Sequence, residues 1–262
     1  MTAPLFSRVL LTNDDGIDAP GLVVLEDVAK QLAHEVWVVA PVHDQSGTSH
    51  SISLHDPLRI SRLGERRFAV GGTPGDCVAI GVRHLLADTP PDLILSRINR
   101  GANLGTETVF SGTVGAAMTG MLLGVPSMAL SQAFKDCANV RWETARTLAP
   151  DVIRRVARLA WSRDACLNVN FPDCPPEQAA PLVLTRQGRG LLDGIGVTTR
   201  EDPRGLNYHW LELRRSKKQD NAGTETAALA AAHVSVTPLR FERTHDGVWE
   251  NLRLQMDPLR GR

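Results

Sequence analysis

Hydrophobic residues in the first two-thirds of the chain alternate between short continuous runs and longer stretches with helical spacing. A continuous apolar run bounded by turn residues is typical of a buried strand, whereas apolar residues at i, i+3, i+4 and i+7 predict a helix. The predicted strands are RVLLT from Arg8, EVWVVA from Glu35, FAVGG from Phe68, DLILS from Asp92, PSMALS from Pro126 and LNVNF from Leu167; the predicted helices run from about Pro20, from Gly75 to Ala87, from near Ser111 and from about Arg141 to Trp161. This alternation predicts an α/β fold, in which helices cover both faces of a parallel sheet.

The pattern changes after Phe171, where proline clusters and glycine-rich segments replace the alternation of strands and helices. YHWLEL, from Tyr208, predicts a hairpin, and the polar stretch RRSKKQDNAGTE predicts loops. The last twenty residues are polar and are expected to be frayed or to depend on a partner. We therefore expect a single α/β domain over residues 1–262, with a core of about residues 8–171 and a C-terminal extension of about residues 182–254.

The composition excludes several classes of protein. The 262 residues include 29 Lys+Arg and 29 Asp+Glu, so the formal charge is zero. A general nucleic-acid or membrane-surface binder would need a basic excess to gain from phosphate contacts. No apolar run approaches the roughly 20 residues of a membrane span, and the N-terminus does not resemble a secretory signal. The four cysteines are scattered, which is typical of reduced thiols. We expect a cytoplasmic protein with no zinc site and no stable nucleic-acid or membrane partner.

Polar clusters follow several of the predicted strands. TNDDG follows the first strand, DQSGTSHS the second and NRGANLG the strand from Asp92, while SGT opens the helix near Ser111. In an open parallel sheet, ligands bind beyond the carboxyl ends of the strands. These clusters are therefore expected to line one polar crevice.

The adjacent carboxylates Asp14 and Asp15 allow two interpretations. Hard cations such as Mg²⁺, Mn²⁺ or Ca²⁺ prefer oxygen ligands, and a carboxylate pair at a strand end supplies them. Asp and Asn also favour turns and helix caps, and Gly16 would ease such a turn. The pattern alone favours the turn somewhat over the metal site, and both interpretations stay open.

Two segments are candidates for phosphate binding. The loop of residues 99–105 contains two glycines, which allow backbone N–H groups to approach an anion closely. Ser111, Gly112 and Thr113 open a helix whose first turn offers free N–H groups and a favourable dipole. A serine cap on a core helix explains the same residues equally well.

Other reactive side chains have simpler explanations. His50 lies in TSHS and is more typical of a surface loop than of a pocket. Cys77, near a predicted helix start, has no flanking histidine and is interpreted as a packed thiol. Ser111 lacks the GxSxG context of a hydrolase nucleophile.

Seven motifs occur together in this chain: TNDDGIDAPGL, VVAPVHDQSGTSHS, GTPGDCV, NRGANLG, SGTVGAAMTG, LNVNFP and SVTPL. In this order, from about Arg8 to about Leu239, they resemble the SurE family of stationary-phase survival proteins; TNDDG together with SGTVGAAM is the most specific part. The resemblance implies a Rossmann-like parallel-sheet sandwich. It also implies a C-terminal β-hairpin or extension that is exchanged between the subunits of a homodimer or homotetramer.

The resemblance implies an activity as well. SurE proteins are divalent-metal-dependent 5′/3′-nucleotidases, phosphomonoesterases that hydrolyse nucleoside monophosphates to nucleoside and phosphate and sometimes also act on short polyphosphate. One divalent metal ion per subunit, Mg²⁺, Mn²⁺ or similar, is implied. The positions that match the family's metal ligands are Asp14, Asp15, Ser46 and Asn99, of which Asp14, Asp15 and Asn99 are the catalytic candidates; the positions that match its phosphate pocket are Asn13, Asn103, Ser111, Gly112 and Thr113.

Three positions depart from the family pattern. SGxN reads Ser96-Arg97-Ile98-Asn99, GTD reads Gly223-Thr224-Glu225, and Gly-Tyr before VS reads Ala232-His233. Arg97 is expected to strain a positive-φ backbone and to repel the metal, or instead to bind the substrate phosphate. The alternative function is therefore a weakly active or non-catalytic member that binds nucleotide or a protein partner. A nucleic-acid-binding module that uses NRGANLG is a third hypothesis, which the neutral charge disfavours.

Overall fold

A computed structural model describes residues 4–216 and 221–256 of the chain. Its strands are β1 (Phe6–Thr12), β2 (Ala33–Pro41), β3 (Ile60–Gly64), β4 (Arg67–Val70), β5 (Leu93–Arg100), β6 (Ser127–Gln132), β7 (Cys166–Phe171), β8 (Ala180–Leu184), β9 (Leu192–Glu201), β10 (Asn207–Arg215) and β11 (His233–Leu239). Nine of these described strands form one sheet in the order β3-β4-β2-β1-β5-β6-β7-β11-β8, and β9 pairs with β10 in a separate ribbon. All six strands that the apolar runs predict lie in the large sheet.

The large sheet is parallel over its central strands. β4, β2, β1, β5, β6 and β7 run parallel to their neighbours, while β3 and β11 pair antiparallel with β4 and β7. Parallel strands that are covered on both faces have continuous apolar sequences. β6 and β7 follow this rule, since every residue of both strands is buried. The predicted mixed α/β fold with a mostly parallel sheet is confirmed.

Helices cover both faces of this sheet. The α-helices of the described residues are α1 (Pro20–Ala29), α2 (Pro74–Ile80), α3 (Gly112–Leu122), α4 (Trp142–Ala157), α5 (Glu225–Ala230) and α6 (Asp246–Met256). Val9 and Leu11 of β1 lie in one core cluster with residues of α1 and α4, whereas Leu10 lies in another with Val78 of α2 and Ala116 of α3. Side chains that alternate along β1 therefore contribute to two cores, one on each face.

The predicted helix boundaries differ in detail from those in the structure. The helix predicted from Gly75 to Ala87 begins at Pro74, where Thr73 and Asp76 form a capping box, and continues from Gly81 as a π-helical turn. The helix predicted to end at Trp161 ends at Ala157. Such differences are expected because sequence periodicity locates a helix better than it locates the last turn.

The C-terminal region contributes further strands to the sheet. β11 lies between β7 and β8, so the large sheet continues after residue 171. The exchange of the C-terminal extension between subunits stays a prediction. The last twenty residues are expected to be frayed or to depend on a partner. Asp246–Met256 form α6, so this part is not frayed, and none of its residues is buried. Its dependence on a partner stays a prediction. The predicted loop residues 217–220 and the terminal residues 257–262 lie outside the described part of the chain.

The predicted hairpin around YHWLEL is present. β10 pairs antiparallel with β9 over nine residue pairs. Its apolar side chains remain exposed, among them Val197, Trp210 and Leu211 at 60%, 61% and 76%.

Every helix in the described part of the chain is too short or too polar to span a membrane.

Candidate active site

The predicted polar segments meet in one cavity of about 1310 Å³ at the carboxyl ends of β1, β2 and β5. Seven of the residues singled out from the sequence line this cavity: Asp14, Asp15, Ser46, Arg97, Asn99, Asn103 and Ser111. The convergence follows from the topology, because β2, β1 and β5 are adjacent and parallel, so the loops after them leave the same edge of the sheet.

Asp14 and Asp15 lie in the loop after β1, separated from the strand by Asn13. The Asp14 side chain is buried, and the hydroxyl of Thr113 donates a hydrogen bond of 2.7 Å to its Oδ1. The Asp14 carbonyl accepts from the Gln45 N–H at 2.6 Å, which ties this turn to the loop after β2. Asp15 is half-buried and accepts a long contact of 3.5 Å from the Ser46 hydroxyl. The two carboxylates and Ser46 are thus held together by two adjacent strand-end loops.

Arg97 lies within this cluster because β5 contains a bulge. The register of β5 against β6 shifts between Ser96 and Ile98, which leaves Arg97 as the extra residue. Its guanidinium forms ion pairs with both carboxylates, at 3.2 Å from Nη1 to Asp14 Oδ1, and Nη2 donates to Asn99 Oδ1. Arg97 is only 2% exposed. The arginine therefore contacts three of the four predicted metal ligands.

The predicted backbone strain at Arg97 is wrong. Among the described non-glycine residues, Ser49 and Ala232 have positive φ, and Arg97 does not. Burial lowers the pKa of Arg97 to about 10, while the neighbouring charge of Asp14 acts in the opposite direction. The guanidinium is consequently positively charged at neutral pH.

The donor set fits a hard divalent cation. Asp14 and Asp15 offer carboxylate oxygens, Asn99 an amide oxygen and Ser46 a hydroxyl, and Mg²⁺ and Mn²⁺ prefer such oxygen ligands. Three of these four donors already contact one positive group, the guanidinium of Arg97. Within the described residues, no three His, Cys, Asp or Glu side chains form a group that could hold a metal ion. This candidate site therefore depends on the oxygens of Ser46 and Asn99 as well as on the two carboxylates.

The residues predicted for phosphate binding divide into two groups. Ser111 caps α3 by accepting from the Val114 N–H, and it lines the cavity. Gly112 and Thr113 lie behind Asp14: a Cβ on Gly112 would come 2.8 Å from the Cβ of Asp14. The start of α3 thus packs directly against the carboxylate, which only glycine at position 112 permits without displacement.

The two predicted asparagines serve mainly internal hydrogen bonds. Asn13 is fully buried and its side-chain amide donates to the Gly16 carbonyl, which shapes the turn that carries the aspartates. Asn103 donates from its side chain to the Ser131 hydroxyl at 2.8 Å and from its backbone to Asn170 Oδ1 at 2.9 Å. Asn103 reaches the cavity surface, whereas Asn13 does not line it.

Sequence reasoning missed the part that the C-terminal region plays at this cavity. Arg215 of β10 lines the cavity and pairs with Glu107 at 2.8 Å, so the hairpin is tied to the segment before α3. Glu225, at the predicted GTD position, is buried and accepts from the backbone N–H groups of Gly105 and Gly188 at 2.6 and 2.8 Å. The acidic residue in GTE can be seen in the sequence, but its hydrogen-bond partners could not be predicted. One of them, Gly105, lies 120 residues earlier in the chain.

His50 and Cys77 take no part in the site. His50 is half-buried rather than on the surface, lies beside Met118 and does not line the cavity. Burial, and secondarily the charge of Arg243, lowers the pKa of His50. Cys77 is buried, and that burial raises the pKa of its thiol well above the ordinary value, which confirms the interpretation as a packed thiol.

The family model described as "Survival protein SurE" matches residues 9–193, a span that includes both aspartates, the bulge and the start of α3. The chain belongs to the SurE family. It is 63% identical over 255 residues to a protein of Burkholderia lata named 5′-nucleotidase SurE 1, covering 97% of this chain and 98% of that one. It is 50% identical over 243 residues to a 5′-nucleotidase SurE of Nitrobacter winogradskyi, covering 91% and 95%.

A solved SurE structure supports the same assignment for the fold. The crystal structure of the SurE protein from Aquifex aeolicus superposes with a TM-score of 0.81 at 35% sequence identity, covering 95% of this chain and all of that chain. The SurE motifs that the sequence contains therefore occur in a SurE fold, and the predicted family membership is confirmed.

Proposed function

We propose that this protein is a divalent-metal-dependent phosphomonoesterase that hydrolyses nucleoside monophosphates to nucleoside and phosphate. The observation that carries the proposal is the convergence of Asp14, Asp15, Ser46 and Asn99 on one cavity beside the start of α3. Relatives over nearly the whole chain are named 5′-nucleotidase SurE, which supports the same activity.

The proposed roles follow from the chemistry of the residues. Asp14, Asp15, Ser46 and Asn99 would hold one divalent cation, which when bound would offset charge on the phosphoryl group and activate water for in-line attack. The first turn of α3, from Gly112, leaves backbone N–H groups without intrahelical acceptors. These groups and the helix dipole would orient the phosphate and stabilise charge that develops on its oxygens. Thr113 would position Asp14 through the hydrogen bond it already donates.

Phosphate release from nucleotides tests this function. We expect the purified protein to release phosphate from 5′-AMP in the presence of Mn²⁺ or Mg²⁺ and to lose that activity in EDTA. Parallel assays with 3′-AMP and short polyphosphate define the range of substrates. The absence of metal-dependent release from every nucleoside monophosphate would overturn the proposal and favour the non-catalytic alternative.

We also propose that the protein self-associates through the β9–β10 hairpin. An isolated two-stranded hairpin is marginally stable, and large exposed apolar surfaces usually mark interfaces. Val197 lies opposite Leu211 in the ribbon, and Ile195 lies opposite Leu213, with 44–76% of each of these side chains exposed. One face of the hairpin is thus apolar and available to a second copy of the chain.

Introducing a charge on this face should weaken the assembly. We expect the wild type to be a dimer or larger at micromolar concentration by light scattering, and Leu211→Glu to raise the dissociation constant at least about tenfold, because a charge would be buried without a partner. Leu122→Glu at the end of α3, where leucine is 72% exposed, is the matched control. A monomeric wild type would contradict the proposed interface.

A further inference from the structure

Arg97 is a buried cation to which the proposed phosphatase chemistry assigns no role. It is 2% exposed, and the side chains it contacts are Asp14, Asp15 and Asn99. Arginine is rarely buried unless its charge is paired, so these carboxylates account for its place. They are also the groups that the proposed function assigns to the metal. The same oxygen atoms would therefore bind either the guanidinium of Arg97 or the divalent metal.

We propose that the guanidinium of Arg97 occupies the cation position of the site and competes with the divalent metal for Asp14 and Asp15. The inference rests on the ligand set of the proposed function, but it concerns metal binding rather than turnover. Occupation of the site by metal would then require Arg97 to withdraw from the two carboxylates.

The charges of the cluster give the physical reason. With Arg97 in place, the two carboxylates carry only one uncompensated negative charge between them. A divalent ion that joined the cluster while the guanidinium stayed would lie within a few Å of another positive charge, where repulsion is strong in a poorly solvated site. If Arg97 withdraws instead, binding includes the cost of separating a buried ion pair. In both cases the arginine weakens the affinity for metal.

The hydrogen bonds of the Arg97 side chain are incomplete. Its Nε–H is buried and has no hydrogen-bond partner among the described residues. A buried donor without a partner is unfavourable, so the guanidinium is held by charge more than by a complete set of hydrogen bonds. This arrangement allows a divalent ion at sufficient concentration to displace it.

Calorimetric titration with Mn²⁺ in the absence of nucleotide tests the competition. Arg97→Gly removes both the charge and the side chain, whereas Arg97→Met removes the charge and keeps a chain that fills part of the space. We expect both variants to bind Mn²⁺ at least about tenfold more tightly than the wild type. Arg100→Met is the matched control. Arg100 lies at the end of the same strand, lines the cavity and is exposed. None of the ion pairs in the described structure includes it. Its affinity should stay within about threefold of the wild type.

Several results would overturn the proposal. An unchanged or weaker affinity in Arg97→Gly and Arg97→Met would mean that Arg97 does not compete, and would favour a role in holding the substrate phosphate. Equal tightening in Arg100→Met would mean that the effect is one of overall charge. If neither the wild type nor the variants bind Mn²⁺ at millimolar concentration, these residues do not form a metal site.

The experiment keeps this inference separate from the proposed function. Binding is measured without substrate, so tight Mn²⁺ binding by Arg97→Gly supports the competition even if no nucleotide is hydrolysed. If Arg97→Gly does not fold because the lost side chain leaves a cavity, Arg97→Met, which fills part of that space, decides the outcome. Melting curves with and without Mn²⁺ give a second measure: the metal should raise the melting temperature of Arg97→Gly more than that of the wild type.

Discussion

Replacing Asp14 by asparagine should lower kcat/KM for nucleoside monophosphates by at least about 100-fold, since groups that merely support a metal ligand already contribute 10–100-fold. Asp14 is buried between the guanidinium of Arg97 and the hydroxyl of Thr113. An asparagine keeps the shape and can still accept from Thr113, but it removes one of the two negative charges that would hold the cation. The loss should be largest at limiting Mn²⁺ and should be accompanied by weaker Mn²⁺ binding.

Asp18→Asn is the matched control for this substitution. Asp18 lies in the same loop, but its side chain is 91% exposed and pairs with Arg67 at the surface. Exposed ion pairs contribute little to stability, so Asp18→Asn should retain activity within about twofold. Circular dichroism of both variants checks that the fold is intact. If Asp14→Asn kept near wild-type rates at saturating substrate and limiting metal, Asp14 would not be a metal ligand.

The sequence predicted the sheet well because burial on both faces leaves a simple pattern. The strands β1, β2 and β5 each contain a continuous apolar run, and a polar cluster follows each run. Once the strands are parallel, their carboxyl ends must share an edge of the sheet. The meeting of Asp14, Ser46 and Asn99 was therefore predictable without coordinates, although which cation they contact was not.

The features that could not be predicted depend on contacts between distant segments. The bulge at Arg97 is a matter of register between β5 and β6, which leaves no mark on the composition of either strand. The place of β11 between β7 and β8 could not be predicted, because β7 lies more than 60 residues earlier in the chain and β8 was not recognised as a strand. The helix α6 was missed because its polar residues resemble those of a frayed terminus, although Val248 and Leu252 are four residues apart as in a helix.

Gly21, which lies 76 residues before Arg97 in the chain, contacts the strand segment that contains the bulge. Gly21, in the first turn of α1, packs so closely on β5 that an added Cβ would overlap the Ile98 carbonyl oxygen and come within 3.3 Å of Trp142. Ile98 lies between Arg97 and Asn99, so any relief of the overlap must move the helix or the strand segment that carries the site.

Gly21→Ala should therefore reduce both stability and metal affinity. Overpacking a well-packed core costs about 1–3 kcal/mol, and occasionally more, while alanine regains up to about 1 kcal/mol of helix propensity. A net loss of about 2 kcal/mol corresponds to a fall in melting temperature of roughly 4–8 °C in a chain of this size. Displacement of Asn99 should also weaken Mn²⁺ binding.

Gly247→Ala in the first turn of α6 is the matched control, since it makes the same chemical change. The added Cβ would meet the His245 ring at an ordinary 3.5 Å, so stability and Mn²⁺ affinity should both stay unchanged. A Gly21→Ala protein that melts within 1 °C of the wild type would show that α1 and β5 can separate without cost, and that the bulge does not depend on their close contact.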